Sequence, residues 1–193
     1  GDWSSDVCSS DLTGSGIGHR LVIGARHTGS SYAQHFSGYL DEIRIVKGTA
    51  VYTGNFTVPT SRLSATQSNQ GTNIADITGT ATKLLIHSNQ TYDSSDSNHY
   101  VTASGAIPKS ETTNRGSGGH ANFGSSAWYF DGSDDHLEIA HNTDFDFGAG
   151  ASGSTTNDFT IECWFNRTVN NTAYQALLGK RSEEHTSELQ SPM

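Results

Sequence analysis

The sequence predicts an all-β fold, an antiparallel β-sandwich or jelly roll. Three observations carry this expectation. Short apolar runs and runs alternating with polar residues recur along the chain. Turns rich in Gly, Ser, Thr and Asn separate them at fairly regular spacing. No stretch places apolar residues at the spacing of an amphipathic helix.

Taken in order, Leu21-Val22-Ile23-Gly24 is a short apolar run and reads as a buried strand. Tyr32 to Gly38 is polar and Gly-bounded, and reads as a loop with an ordered Phe36. Tyr39 to Ile45 is the next strand. Strict alternation puts Tyr39, Asp41, Ile43 and Ile45 on one face, and Leu40, Glu42 and Arg44 on the other. Glu42 and Arg44 are then expected to pair at the surface, where such a pair contributes little. Lys47 to Ala50 turns the chain, Tyr52 and Phe56 pack back on the sheet, and Pro59 ends the unit.

Residues 62–81 are rich in Ser, Thr, Gln and Asn and read as a linker. Lys83 to His87 then starts a strand, and Tyr100 to Ala103 forms a weaker one. Ala127-Trp128-Tyr129-Phe130 is a strong strand stopped by Asp131-Gly132. His136 to Ile139 alternates cleanly. The best strand runs from Phe159 to Phe165, with Phe159, Ile161, Cys163 and Phe165 facing one way and Thr160, Glu162, Trp164 and Asn166 the other. Ala176 to Gly179 is the last strand.

The two ends, 1–12 and 181–193, show no helix or strand period and look like translated sequencing-adapter DNA. Arg181 to Thr186 can be encoded AGA TCG GAA GAG CAC ACG. The reverse complement of that stretch contains GTG TGC TCT TCC GAT CT, which spells Val7 to Leu12. The interior is therefore expected to be a fragment of a longer reading frame. The eleven basic and twenty acidic side chains give −9; the ends hold one of the former and six of the latter, so the interior carries −4. Such a mildly acidic stretch without basic clusters argues against nucleic-acid binding. No apolar run approaches membrane-spanning length, so no membrane partner is expected. Of the two cysteines, Cys8 lies in an end and Cys163 within a strand, where it reads as a small apolar residue.

Two blocks resemble the LamG, or concanavalin A-like, family. The first is Phe36-Ser37-Gly38-Tyr39-Leu40-Asp41-Glu42-Ile43-Arg44-Ile45 with Lys47 to Tyr52 and Asn55 to Thr57, which looks like the closing strand of such a domain. The second comprises Leu84 to His87, Ala127 to Gly132, Leu137 to Ile139, Asp144 to Phe147 and Asp158 to Phe165, and resembles an opening half. A domain end thus precedes a domain start. The resemblance implies that residues 13–61 end one repeat, 62–81 link, and 82–180 begin a second repeat. The sandwich is then incomplete or permuted, with Tyr39–Ile45 expected to pair in cis with strands of the second block.

The same resemblance implies a non-catalytic structural or binding module of a virion-tail or secreted adhesion-type protein. Its localisation would be virion or extracellular, and its partners glycans, a host surface or neighbouring repeats. The alternative is a Ca²⁺-dependent carbohydrate-binding module of a larger glycoside-active enzyme. An enzyme is not expected of this chain. Asp41 and Glu42 are adjacent and point to opposite faces of an ideal strand, and no Glu-x-Asp strand supplies the facing carboxylates of a glycosidase. No catalytic or cofactor-binding residues are assigned. Asp131, Asp134 and Asp135 in one turn are the candidate metal ligands, for Ca²⁺, although Asp-Gly and Ser-Asp-Asp are also ordinary turn formers. Asp144 and Asp146 form a second acidic turn. The histidines show no metal spacing and read as solvated loop residues. Gly14 to Gly18 lacks the Lys and helix of a phosphate loop. Trp128, Tyr129 and Trp164 suggest either a sugar-stacking platform or packing within the sandwich.

Overall fold

Alternation of apolar side chains in short strands needs a partner layer to cover the apolar face, and the chain supplies one from its own two halves. The computed structural model describes residues 20–28, 30–88, 90–110, 121–147, 158–168 and 174–180. The two ends, Cys8, the Gly14–Gly18 run, His19, His120, most of the Gly116–Asn122 loop and the 148–157 loop lie outside them.

The strands are β1 (Leu21–Ile23), β2 (Arg26–His27), β3 (Tyr32–Ala33), β4 (Ser37–Lys47), β5 (Thr82–Ile86), β6 (Val101–Ser104), β7 (Ile107–Ser110), β8 (Ser126–Asp131), β9 (His136–Ile139), β10 (Phe159–Arg167) and β11 (Leu178–Lys180). One sheet runs β11-β1-β9-β6. The other runs β10-β4-β8-β7, with β5 also paired to β4. Every pairing within these sheets is antiparallel. The architecture is all-β, an antiparallel sandwich, as the sequence predicts.

Strand β4 organises the larger sheet. Along one side it pairs with β10 from Gly38 to Lys47. On the other side its first half pairs with β8 and its second half with β5. The expected cis pairing of Tyr39–Ile45 with the later strands is therefore present. The face assignment within β4 needs correction. Arg44 opposes Glu162 while Asp41 opposes Trp164, so β4 carries one residue more than β10 between these pairs. Glu42 sits at this bulge with φ of +50°. The extra residue breaks the period of two. Leu40, Ile43 and Ile45 all enter the core, and Tyr39 packs in a separate cluster.

The core between the sheets is built from Leu21 and Ile23 of β1, Leu137 and Ile139 of β9, Leu40, Ile43 and Ile45 of β4, Leu84 and Ile86 of β5, and Trp128 and Phe130 of β8. Phe159, Cys163 and Phe165 pack against it and Ile161 is buried in it, so β10 presents the face its alternation predicts. Each such aliphatic side chain contributes about 1.5–3 kcal/mol when fully buried.

Three further elements depart from the sequence reading. Tyr32 to Gly38 is not all loop: Tyr32–Ala33 pairs with Arg26–His27, and β4 begins at Ser37. Tyr32 reaches the outer side of the smaller sheet, donating to Glu138 and stacking on His136 with centroids 3.8 Å apart. Strand β7 contains Pro108 and is paired only to β8, an edge position that tolerates the missing N–H. Residues 62–81, expected as a linker, lie against β4. Val46, Val51 and Ile77 form a cluster with Tyr52, Ile74 and Ala81, and bridges join Tyr52 to Ile74 and Gln67 to Ile77. Among the described residues no helix is long and apolar enough to cross a membrane.

Candidate functional site

The register of the larger sheet places aromatic side chains on its outer face. Ile107, Tyr129, Tyr39 and Asn166 align across one rung, and Trp164 lies opposite Asp41 on the next rung of that face. Tyr39 and Ala127 are buried there, with Tyr129 and Trp164 half-buried against them. The Tyr39 and Tyr129 rings are 5.2 Å apart, and Phe123 meets Trp164 edge-on at 5.5 Å. Lys109 Nζ sits 3.3 Å above the Tyr129 ring. Trp128 does not belong to this patch: neighbouring strand residues point to opposite faces, and Trp128 is buried in the core. Of the three aromatics singled out by sequence, two remain together. Tyr39, Phe123 and Lys109 join them through strand pairing and a loop, contacts that have no local sequence signal.

The same face carries buried charge where β4 meets the loops. Asp41 is fully buried and accepts hydrogen bonds from the Ser88 hydroxyl and from the backbone N–H groups of Asn122 (3.0 Å) and Phe123 (2.9 Å). Loss of water pushes its carboxyl up to about 6; these donors pull the other way and are outweighed, and Glu42 adds a further upward push. Glu42 is also fully buried, accepting from Leu63 N–H at 3.0 Å and lying 2.9 Å from His87 Nδ1 and 3.6 Å from Arg62. Arg44, equally buried, pairs with Glu162, donates to Ser64 O at 2.8 Å and to Gln67 Oε1 at 3.2 Å. The expected surface pair of Glu42 and Arg44 is thus replaced by two separate buried networks. Tyr52 hydroxyl donates to Glu162 at 2.6 Å, and burial together with that carboxylate raises its pKa. These carboxylates hold loops in place.

Asp131, Asp134 and Asp135 converge, each offering an oxygen within 4.8 Å of the others. Asp131 and Asp134 are exposed and Asp135 is buried. Two of the oxygens close the turn: Asp135 accepts from Asp131 N–H and Asp131 from Ser133 N–H, both at 2.7 Å. Burial raises the Asp135 pKa, and the charges of Asp131 and Asp134 add to the rise. The second acidic turn is differently occupied. Asp146 pairs with the buried Lys180, while Asp144 lies 3.4 Å from Lys83 and 3.1 Å from His99. Burial would push Asp144 up, but Ser97, Lys83 and His99 outweigh it and hold its pKa low. His87, His99 and His136 are likewise engaged by Glu42, Asp144 and Tyr32, contrary to the expectation of solvated loop residues.

A cavity of about 600 Å³ lies between residues 52–64 and 66–74, in the segment expected as exit and linker. Comparisons with protein-family models, curated proteins and solved structures give no match.

Proposed function

We propose that this chain is a non-catalytic module of the LamG, concanavalin A-like jelly-roll type, belonging to a virion-tail or secreted adhesion-type protein and binding glycans on a host surface. The observation that carries this reading is the half-exposed pair Tyr129 and Trp164 on the outer face of the larger sheet. Aromatic faces stack on the C–H faces of sugar rings, and Lys109 stands beside them as a donor for hydroxyl groups. A bound sugar displaces Lys109 from the Tyr129 ring. Backbones of paired strands hold both rings, so little ordering is needed on binding. The non-catalytic part rests on the employment of Asp41, Glu42 and Glu162, which accept structural hydrogen bonds inside the protein. Neighbouring repeats would meet the chain at the edges of its sheets.

A glycan array tests the reading. Trp164→Ala and Tyr129→Ala are each expected to weaken binding about threefold to tenfold while leaving the melting temperature within a few degrees. Binding unchanged by both substitutions would rule out this face.

The second reading, a Ca²⁺-dependent carbohydrate-binding module of a larger glycoside-active enzyme, is favoured by one observation, the convergence of Asp131, Asp134 and Asp135. Carboxylate oxygens on a turn suit this hard cation. Here Ca²⁺ should raise both thermal stability and array signal, and Asp134→Asn should abolish both gains; equal signals with Ca²⁺ and with chelator would dismiss it.

A further inference from the structure

The cavity between residues 52–64 and 66–74 is separate from the Tyr129–Trp164 face and is made by chain that the sequence presents as the exit of one repeat and the linker after it. Its volume of about 600 Å³ falls within the range of small-molecule sites. Its walls are fixed from several sides. Asn73 Nδ2 donates to Asn55 O at 2.7 Å, and Thr53 N–H to Asn73 O at 3.1 Å. Arg44 ties the two stretches together through Ser64 O and Gln67 Oε1, and Tyr52 is tied to Glu162. Buried groups of β4 and β10 therefore preorganise the cavity before any ligand arrives.

The lining has a narrow chemistry. Phe56 stacks on Tyr52 with centroids 3.9 Å apart and an interplanar angle of 19°, yet Phe56 remains 38% exposed and lines the cavity. Around this aromatic pair the lining is dominated by amides and hydroxyls, among them Asn55, Gln70, Asn73 and Thr72. No carboxylate lines it. Its one charged side chain, Arg62, lies 3.6 Å from the buried Glu42. A divalent cation would lack anionic ligands here, and a polyanion would meet a single, already paired guanidinium. A neutral, polyhydroxylated ligand meets both an aromatic surface for its C–H face and amides that donate and accept.

We propose that this cavity is a binding site for a short neutral oligosaccharide, with Phe56 as the stacking platform and Gln70 and Asn73 as hydroxyl partners. The assignment rests on the cavity's own lining and stands whether or not the outer face at Trp164 binds a glycan.

The experiment uses the full chain, isotopically labelled, titrated with neutral glucose-, galactose- and mannose-based oligosaccharides and with their sulfated counterparts. Amide shifts are followed by NMR. The expected result is saturable shifts concentrated in residues 52–74, produced by at least one neutral sugar and weaker for its sulfated form. Phe56→Ala and Gln70→Ala should each weaken that binding by about tenfold, and Trp164→Ala should leave it unchanged. Both variants alter exposed or cavity-lining positions, and thermal melting reports whether they fold. Absence of shifts in 52–74 with every neutral sugar would overturn the proposal. So would shifts indifferent to both substitutions, or tighter binding of the sulfated forms. Loss of binding in Trp164→Ala alone would place the sugar on the outer face and not in the cavity.

Discussion

Asp41 shows how much of this structure is decided by single side chains. It is an acid inside a strand, fully buried, with three donors aimed at it and a pKa near 6. Because the folded-state value lies above the unfolded one, the folded protein holds this proton more tightly. The stabilising effect of protonation is fully present below the unfolded value of about 3.8 and is lost as pH rises through about 6. This titration makes the fold less stable at neutral pH than below the unfolded value, by on the order of 2–3 kcal/mol. Asp41→Asn removes the titration and keeps an acceptor for Asn122 and Phe123. Urea unfolding between pH 4 and pH 7 should show wild-type stability falling relative to Asp41→Asn; parallel curves would mean that Asp41 titrates at its ordinary value.

The sequence pointed to Asp41, Glu42 and Arg44 as strand residues but not to their burial. Charged side chains read as surface, and only contact with distant partners such as Ser88, Asn122 and Glu162 makes burial tolerable. The bulge at Glu42 was equally illegible, because one extra residue in a strand leaves no mark in composition.

Among the elements, β4 carries the organisation. Its inward residues join the core, and its outward charges hold the covering loops. Arg44 is the strongest of these anchors, since it pairs with Glu162 and holds Ser64 and Gln67. Arg44→Ala leaves Glu162 without its cation and releases one wall of the 52–74 cavity. The expected loss is about 3–5 kcal/mol, read by chemical denaturation. A loss below about 1 kcal/mol would mean that the Glu42 and Thr82 hydrogen bonds and the Val46–Val51–Ile77 cluster hold residues 62–81 without Arg44.

Element by element, strands with clean alternation were legible. Strand β10 turns Phe159, Ile161, Cys163 and Phe165 to the core as its pattern dictates. Residues 62–81 read as spacer because they contain few large aliphatics. Their attachment uses backbone carbonyls and buried side-chain charge, which a hydropathy pattern does not register. Strand β7 was hidden by Pro108, which signals a break except at a sheet edge. The aromatic candidates divided for a simpler reason: Trp128 and Tyr129 are neighbours in sequence and so lie on opposite faces.

At the scale of the molecule, two blocks of sequence separated by residues 62–81 share one core. Leu40 and Ile45 precede that stretch; Leu84, Trp128 and Ile161 follow it; all lie in the same cluster. Order along the chain suggested this arrangement, since a closing strand followed by opening strands can complete a sandwich in cis. The outer face depends on it because it joins Tyr39 to Tyr129 and Trp164, and the cavity depends on it through the Arg44–Glu162 pair that holds residues 64 and 67.

Cross-strand nuclear Overhauser effects in the full chain test that claim most directly. Backbone contacts are expected between Leu40 and Trp128, between Ile45 and Ile161, and between Ile45 and Leu84. A well-dispersed spectrum that shows the β8–β7 contacts but none from β4 to β5, β8 or β10 would contradict it.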